Sequence, residues 1–579
     1  MKLILRYIKP HWKLCLCTVL LMIVDVVGAL IIPTFAAAML NQGTTAGADF
    51  SALVVTCVRM LVAALVSGAA TILGAYTCAA LTSKVCADIR KALYKKTLSL
   101  AGSDFRSFGT ASVTTRTVSD LTNIQFALLS CFQMLFPVPV VFIVSLVLTF
   151  QKDLMMGLIL TGILLVIATV ASIIMRSTAP MFRVLQKKLD KMSKVLLENI
   201  TGVRVIRAFN KEPDEEKRLN YEFEDYAGTA IRVNKRFAIL DSISFFAINV
   251  FVILVYTFSG FRITAGHFQI GDITAIIEYA MLSLFYLMMA QMVILTLPRA
   301  LECCSRIEEI LAFSPTIADK SRIRVQEDLN RKDVLTFQNV SFRFADADEY
   351  TLKNLNFTCR RGETTAIIGG TGSGKSTVAS LMMRFNEVTD GRVLLFGVDI
   401  RQMPQNQLRQ HLSFVQQRAW LFSGTIAENL RYGEPSATDH QLWRALEIAQ
   451  AADFVRALPE GLDSFVAQGG TNFSGGQKQR LSIARALVKK PELYIFDDSF
   501  SALDFKTDAA LRKALIPETR DAAVVIIAQR ISTIVHADNI IVLHEGEPVG
   551  MGTHEELLKS CPIYHEIYES QTKEADEYA

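Results

Sequence analysis

Charged side chains are scarce in this sequence: they make up 20% of its 579 residues, against 51% that are hydrophobic. A soluble chain of this length needs more charge to cover its surface, so part of this one faces lipid or a very large core. Neither sign of charge dominates. The 60 Lys and Arg oppose 56 Asp and Glu for a net +4, which lacks the basic footprint of a nucleic-acid binder. The ten cysteines are scattered, and even the adjacent pair Cys303–Cys304 has no metal-ligand spacing. That excludes a zinc site and a secreted disulfide framework. A small soluble enzyme and a disordered chain are excluded as well. At roughly 100–200 residues per domain, the length allows two or more domains.

What the first half has instead is long apolar runs, six of them: Leu14–Leu40, Leu53–Leu81, Phe126–Phe150, Leu154–Met175, Phe237–Phe258 and Ile273–Leu297. A hydrocarbon core about 30 Å thick needs about 20 helical residues, so each run can span. Leu14–Leu40 is too long for the apolar core of a secretory signal, and Pro33-Thr34-Phe35 continues it without a clear cleavage site. Lys and Arg placement sets the orientation. Lys2, Arg6, Lys9 and Lys13 precede the first span. The short connections Asn41–Ser51, Gln151–Asp153 and Ser259–Gly271 carry only Lys152 and Arg262, while Thr82–Gln125 and Arg176–Arg236 are long and basic. Alternation then puts the N-terminus, both long connections and everything after Leu297 in the cytoplasm, under a multi-pass inner or plasma membrane. The long connections are expected to continue as two helical hairpins reaching ~20–30 Å beyond the bilayer.

After residue 312 the composition changes. Residues 313–332 (FSPTIADKSRIRVQEDLNRK) form a polar linker. From Asp333 onward, short apolar strands alternate with helices, the pattern of an α/β domain of about 245 residues. Strands are expected at Val334–Val340, Thr365–Ile368, Leu493–Phe496, Val524–Ile527 and Ile540–Leu543. The predicted architecture is therefore an all-α six-helix transmembrane domain (1–312), the linker, and an α/β P-loop nucleotide-binding domain (333–579).

Strand Thr365–Ile368 leads into Gly369-Gly370-Thr371-Gly372-Ser373-Gly374-Lys375-Ser376-Thr377 and then a helix over Val378–Arg384. This is G-x-x-x-x-G-K-[ST] in strand–loop–helix context. The glycines let backbone N–H groups curl around phosphates at a helix start. Lys375 would reach the β- and γ-phosphates, and Ser376 would bind Mg²⁺. The apolar Leu493–Phe496 ends in Asp497-Asp498, and Asp497 would orient the Mg²⁺ shell. ATP and Mg²⁺ are the implied cofactors.

The next motifs carry a family resemblance. Phe473-Ser474-Gly475-Gly476-Gln477 followed by Lys478-Gln479-Arg480 resembles the signature motif of ABC transporter ATPases. Ser501-Ala502-Leu503-Asp504 resembles their D-loop, Gln417 falls on the Q-loop with a role at Mg²⁺, and Phe344 falls on the position that stacks adenine. With six preceding spans, the chain resembles an ABC exporter half-transporter. That resemblance implies a head-to-tail dimer, in which Ser474, Gly475, Gly476 and Gln477 complete the other chain's ATP site. It also implies two coupling helices at the hairpin tips. These carry Phe105 and Phe108 in Asp104–Thr110, and Phe209 and Glu212 in Ala208–Glu215.

Two positions depart from the family pattern. Where Glu usually polarises the attacking water stands Asp498, one methylene shorter, and where His usually precedes Arg530 stands Gln529, which cannot carry a proton as imidazole does. Gln468 is a lesser departure from an acidic residue. A positioned general base contributes about 10²–10⁴-fold. ATP-binding elements intact beside altered catalytic ones resemble the degenerate-site subunit of bacterial heterodimeric ABC exporters, as do Phe473–Lys490 and His544–Gly546. The implied partner is a homologous half-transporter with the consensus Glu and His. The implied cargo is a hydrophobic or amphipathic small molecule of multidrug type. The alternatives are a homodimeric lipid or peptide exporter with a slow ATPase, or a nucleotide-gated regulatory or channel subunit.

Three charges fall inside the spans. Asp25 sits mid-span with no partner evident from sequence, while Arg59 and Glu278 lie about 10 Å inside the outer ends of theirs. A charge in the bilayer costs several kcal/mol unless paired or facing a polar cavity, on the order of 3 kcal/mol on insertion scales. Arg59 and Glu278 share a depth, so a salt bridge between them is expected, or all three residues line a transport path. Phe285, Tyr286, Met288, Met289 and Met292 give the sixth span a surface suited to apolar compounds or to helix packing.

Overall fold

The computed structural model describes residues 2–44, 50–264, 269–319, 328 and 331–577. Parts of the Asn41–Ser51 and Ser259–Gly271 connections, half of the 313–332 linker, and the side chains of Arg262 and Met292 lie outside the described residues. The chain divides into two compact units. One holds Met1–Ser99 and Phe108–Ser314, the other Leu100–Ser107 and Pro315–Ala579.

The first unit contains six helices long and apolar enough to cross a membrane: Lys2–Gly43, Phe50–Leu98, Thr110–Lys152, Leu154–Thr201, Glu212–Thr264 and Ile270–Ala312. Each extends well past the apolar run that predicts it, as the basic connections require. The first two helices pack closely because Gly28 has no side chain; a Cβ there would stand 2.7 Å from the Ser67 Cβ. Interhelical hydrogen bonds join apolar surfaces, among them Thr34 with the buried Tyr279 at 2.6 Å and Ser283 with Ser145 at 3.0 Å. At one end of the bundle Lys152 pairs with Asp272 at 2.7 Å, and Asn41 Oδ1 accepts the Gly271 N–H at 2.7 Å. The fourth helix starts at a cap, where Asp153 accepts the Met156 N–H at 3.0 Å. Two π-helical turns, Arg116–Asp120 and Cys131–Leu135, interrupt the third helix.

The second unit is α/β. Its strands are β1 (Asp333–Phe342), β2 (Leu352–Arg360), β3 (Thr364–Gly369), β4 (Asp390–Leu395), β5 (Val398–Asp399), β6 (Leu412–Val415), β7 (Gly424–Thr425), β8 (Phe465–Val466), β9 (Leu493–Asp497), β10 (Ala523–Ile527), β11 (Asn539–His544) and β12 (Glu547–Gly552). A six-stranded sheet in the order β12-β11-β3-β10-β9-β6 is parallel except for β12. A four-stranded antiparallel sheet has the order β2-β1-β4-β5. Alternation along β3 sends Ala366 and Ile368 into one core and Ile367 into the other, so the strand is buried on both faces. The five expected strands are present. The expected helix over Val378–Arg384 runs instead from Lys375 to Met382. It stops there because Arg384 takes a left-handed backbone (φ +50°) that buries its guanidinium against the Ile400 and Met403 carbonyls, at 3.2 and 2.9 Å.

Candidate nucleotide site

The phosphate loop leaves β3, the strand between β10 and β11, at the carboxyl edge of the parallel sheet, where such sheets bind ligands. Backbone sterics dictate its glycines. Gly372 and Gly374 have φ of +84° and +94°, and a Cβ on Gly369 would meet the Leu543 carbonyl at 2.1 Å. Ser373 is buried with its hydroxyl unpartnered among the described residues, a donor available to an anion held by the loop. Thr371 and Ser376 are exposed, while Thr377 is half-buried in the first turn of the helix. Lys375 Nζ donates to the Gly369 and Gly370 carbonyls at 2.8 and 2.7 Å, which brings the ammonium to the loop mouth. Burial pulls its pKa below the ordinary lysine value, against the pull of the nearby Asp498 and Asp497 carboxylates.

Ser376 Oγ donates to Asp497 Oδ1 at 3.1 Å, uniting the two residues expected at a metal. Asp497 is buried at the end of β9, and that burial raises its pKa; the Ser376 hydrogen bond opposes the shift and the Asp498 charge adds to it. A hydroxyl and a carboxylate side by side are hard oxygen donors of the kind Mg²⁺ takes.

Asp498 turns out of β9 with φ +46°, its N–H bonded to the Ile527 carbonyl at 2.8 Å. Its Oδ2 accepts from Gln417 Nε2 at 2.9 Å and from Gln529 Nε2 at 2.9 Å. The structure thus gathers Gln417, Gln529 and Asp498 on one oxygen. Phe344 follows β1 and stands edge-on to Phe342 at 4.8 Å. It packs half-buried on the cluster that includes Leu352 and Val378.

The signature segment forms the start of helix Gly475–Val488, with Ser474 as its cap. Ser474 Oγ accepts the Gln477 N–H at 3.3 Å, and Gln477 Oε1 accepts the Ser474 N–H at 2.9 Å, a reciprocal capping box. Gly475 faces open space, and a Cβ on Gly476 would approach the Ala502 carbonyl at 3.2 Å. In the D-loop, Ser501 Oγ donates to the Asp498 carbonyl at 2.8 Å. Asp504 caps helix Phe505–Glu518, accepting the Thr507 N–H at 2.9 Å, and that bond holds its carboxyl below the ordinary value.

Of the residues expected at the hairpin tips, Phe105 and Phe108 are half-buried; Phe108 packs edge-on against Phe313 at 5.1 Å. Phe209 is 72% exposed, and Glu212 is exposed as well. Asp104 opens the same segment as Phe105 and Phe108, and no local pattern in the sequence marks what it does. It is buried and accepts from the Ala101 N–H at 2.9 Å, the Thr316 N–H at 3.2 Å and the Thr316 hydroxyl. Gln479, buried in the signature helix, donates to the Gln416 carbonyl at 3.2 Å, a contact its motif does not imply. Only the separation of these partners along the chain hid them.

In the first unit Asp25 does have partners: its Oδ1 accepts from Ser67 at 3.2 Å and from Thr71 at 2.5 Å. Hydroxyls on the second membrane helix therefore satisfy it. The salt bridge expected between Arg59 and Glu278 does not form among the described residues; both are exposed. Arg59 instead edges a cavity of about 560 Å³ between the first two membrane helices, lined otherwise by apolar residues such as Ile23, Val27, Ile31 and Phe35. Phe285 and Tyr286 stand edge-on at 5.9 Å on the sixth helix.

Comparison with known proteins agrees with this geometry. Residues 14–288 match the model of the ABC transporter transmembrane region, and residues 352–501 that of the ABC transporter domain. The chain is 33% identical to an ABC transporter ATP-binding protein of Mycobacterium tuberculosis, over 99% of this chain and 98% of that protein. It is 32% identical, over 67% of this chain and 66% of the other, to a Bacillus subtilis protein named "Probable multidrug resistance ABC transporter ATP-binding/permease protein". Among solved structures, a bacterial Atm1-family ABC exporter with ATP bound shares the fold at a TM-score of 0.80 and 24% identity, covering 97% of this chain and 98% of that one. With six membrane-capable helices, a nucleotide domain and full-length similarity to such relatives, the chain belongs to the ABC transporter family, a multi-pass membrane protein that binds and hydrolyses ATP.

Proposed function

We propose that this chain is one half of a heterodimeric exporter of hydrophobic or amphipathic small molecules, and that its own phosphate loop serves a slow ATP site. The observation that carries this is at Asp498. Its carboxylate is short and takes two amide donors on one oxygen, from Gln417 and Gln529. Both acceptor sites of that oxygen are taken up by amides, and Gln529 has no titratable nitrogen to offer a water in return. The phosphate loop, Lys375, Ser376 and Asp497 keep the chemistry of ATP binding. Phe344 supplies an aromatic face for the base. Ser376, Asp497 and the Gln417 amide oxygen would hold Mg²⁺, which would neutralise charge building on the phosphates. The capped signature helix opens with the exposed Gly475 and the half-buried Gly476, whose backbone N–H groups lie in its first turn. This suits an ATP bound by a partner chain whose Glu and His do the hydrolysis.

On this reading ATP closes the two nucleotide domains, hydrolysis at the partner's site reopens them, and the hairpin segments at Phe105–Phe108 and Phe209–Glu212 transmit the motion. The N-terminus and nucleotide domain are cytoplasmic, from the Lys and Arg bias. Similarity to a protein named for multidrug resistance supports the cargo class. Of the transport-path candidates, Arg59 and Glu278 are exposed, whereas Asp25 is engaged in helix packing.

ATP turnover by the purified full-length chain, beside its Asp498→Glu/Gln529→His double variant, tests the proposal. The expected result is ATP binding with slow turnover, and a gain of about tenfold or more in the variant. Brisk hydrolysis by the unaltered chain alone would overturn it in favour of a homodimer.

A further inference from the structure

The residue carrying Gln529 is held from an unexpected direction. Strand β10 ends firmly: the Ile527 carbonyl accepts the Asp498 N–H, and the Ala528 N–H donates to the Ile367 carbonyl at 3.1 Å. Beyond that point the chain leaves the sheet before entering the short helix Ile531–Ile534. The C-terminal helix (Pro562–Glu577) supplies the next support. Gln571 Nε2 donates to the Gln529 carbonyl at 2.7 Å, and Gln571 Oε1 accepts the Ile531 N–H at 2.9 Å. One side-chain amide thus pairs with a backbone carbonyl and the N–H two residues on, as a neighbouring strand would.

The C-terminal helix is itself well anchored. Tyr564, Ile567, Tyr568 and Gln571 recur at helical spacing on one face. Tyr564 is fully buried and its hydroxyl bonds His554 Nδ1 at 2.7 Å, while Ile567 and Tyr568 pack on the core that contains Ile531 and Ile534. The amide therefore comes from a rigid base.

We propose that Gln571 is a positioning residue for ATP turnover: it fixes the Gln529–Ile531 backbone, and through it the side chain that meets Asp498 at the reaction centre. This rests on the reading that position 529 faces the nucleotide. Misplacing a reacting group by about 1 Å costs up to about 10²-fold, so the loss should fall on kcat and leave the KM for ATP alone.

The test uses the full-length chain in the Asp498→Glu/Gln529→His background, whose turnover serves as the reporter. There Gln571→Leu is expected to lower kcat about tenfold or more with KM unchanged. Gln571→Glu separates positioning from mere packing. Ionised, it keeps the bond from Ile531 but sets a carboxylate against the backbone carbonyl at position 529. Protonated, its O–H donates to that carbonyl and its C=O accepts from Ile531, which restores both bonds. The ratio of its kcat to that of the parent should therefore rise as pH falls toward the carboxyl range, while the Gln571→Leu ratio stays flat. Unchanged kcat in both variants would overturn the proposal. So would a pH-independent loss in Gln571→Glu matched by a lower thermal midpoint. If the background double variant fails to outpace the unaltered chain, it is the slow-site proposal that falls. The Gln571 series is then read in whichever of the two hydrolyses ATP faster.

Discussion

Gln417 and Gln529, 112 residues apart in sequence, donate to the same carboxylate oxygen of Asp498, each at 2.9 Å. Groups that share a partner do not act independently. Asp498→Glu alone leaves the lengthened carboxylate under two amide donors, and Gln529→His alone leaves it too short. Each single variant is expected to gain less than about threefold in kcat, so that the double variant exceeds the product of the two. The coupling expected for such contacts is about 0.5–3 kcal/mol. A four-variant cycle of ATP turnover measures it, and additive gains would show that the two positions work separately.

Mg²⁺-ATP binding by this chain should have a pH window set by one buried and one half-buried group. Asp497 must be ionised to hold the metal, and burial raises its pKa above the ordinary 3.8. Affinity therefore falls as pH drops through that raised value. Lys375 must be charged to hold the phosphates, and burial lowers its pKa below the ordinary 10.5. Affinity accordingly falls again as pH rises through the lowered value. Titration of a fluorescent nucleotide across pH checks both limbs, and Asp497→Asn should flatten the acid limb alone.

Ser474→Ala removes the capping oxygen of the signature helix. Loss of such a cap costs about 0.5–2 kcal/mol of helix stability. The chain's own ATP affinity should be unchanged, because Ser474 is not in its own phosphate site. ATPase of the assembled transporter should fall by an order of magnitude or more. Weaker nucleotide binding by the isolated variant chain would contradict the in-trans role.

Asp104 buries a carboxylate that takes three hydrogen bonds, two of them from Thr316. The same stretch of chain is held farther along, where Arg384 donates to the Ala318 carbonyl at 3.3 Å and Asp319 accepts the Gln405 N–H at 3.0 Å. Asp104→Ala removes the shared acceptor of the half-buried Ala101 N–H and of the two donors of exposed Thr316, and a lost hydrogen bond of this kind costs about 0.5–1.5 kcal/mol. The expected outcome is a lower thermal midpoint for the full chain, with basal ATPase kept in the folded fraction and its stimulation by transported compounds reduced. Undiminished stimulation would show that Asp104 has no part in the proposed coupling.

Much of the architecture was legible because it is written in local pattern. Six apolar runs must become helices in lipid, where each backbone group needs an internal partner. Strands β3, β9, β10 and β11 read clearly because both faces are buried and the apolar run is unbroken. β2 did not: in LKNLNFTCR exposed polar residues alternate with buried ones, and its Asn and Lys resemble a loop. β4 and β12 begin or end in exposed turn residues, and β6 is only four residues long.

The sequence by itself determined the elements whose chemistry is contiguous. The phosphate loop needs glycines, Lys375 and Ser376 in one short stretch, and the signature needs Ser474 just ahead of its helix. The absence of Glu at 498 and of His at 529 is equally a fact of sequence. Only the tertiary structure decided what those side chains touch. It brought Asp498, Gln417 and Gln529 together from three elements, gave Asp25 its hydroxyl partners, left Arg59 and Glu278 apart, and set Gln571 against the backbone of Gln529. The reason is physical. A hydrogen bond between residues far apart in the chain depends on strand order and helix packing, to which every buried residue contributes and which no local spacing records.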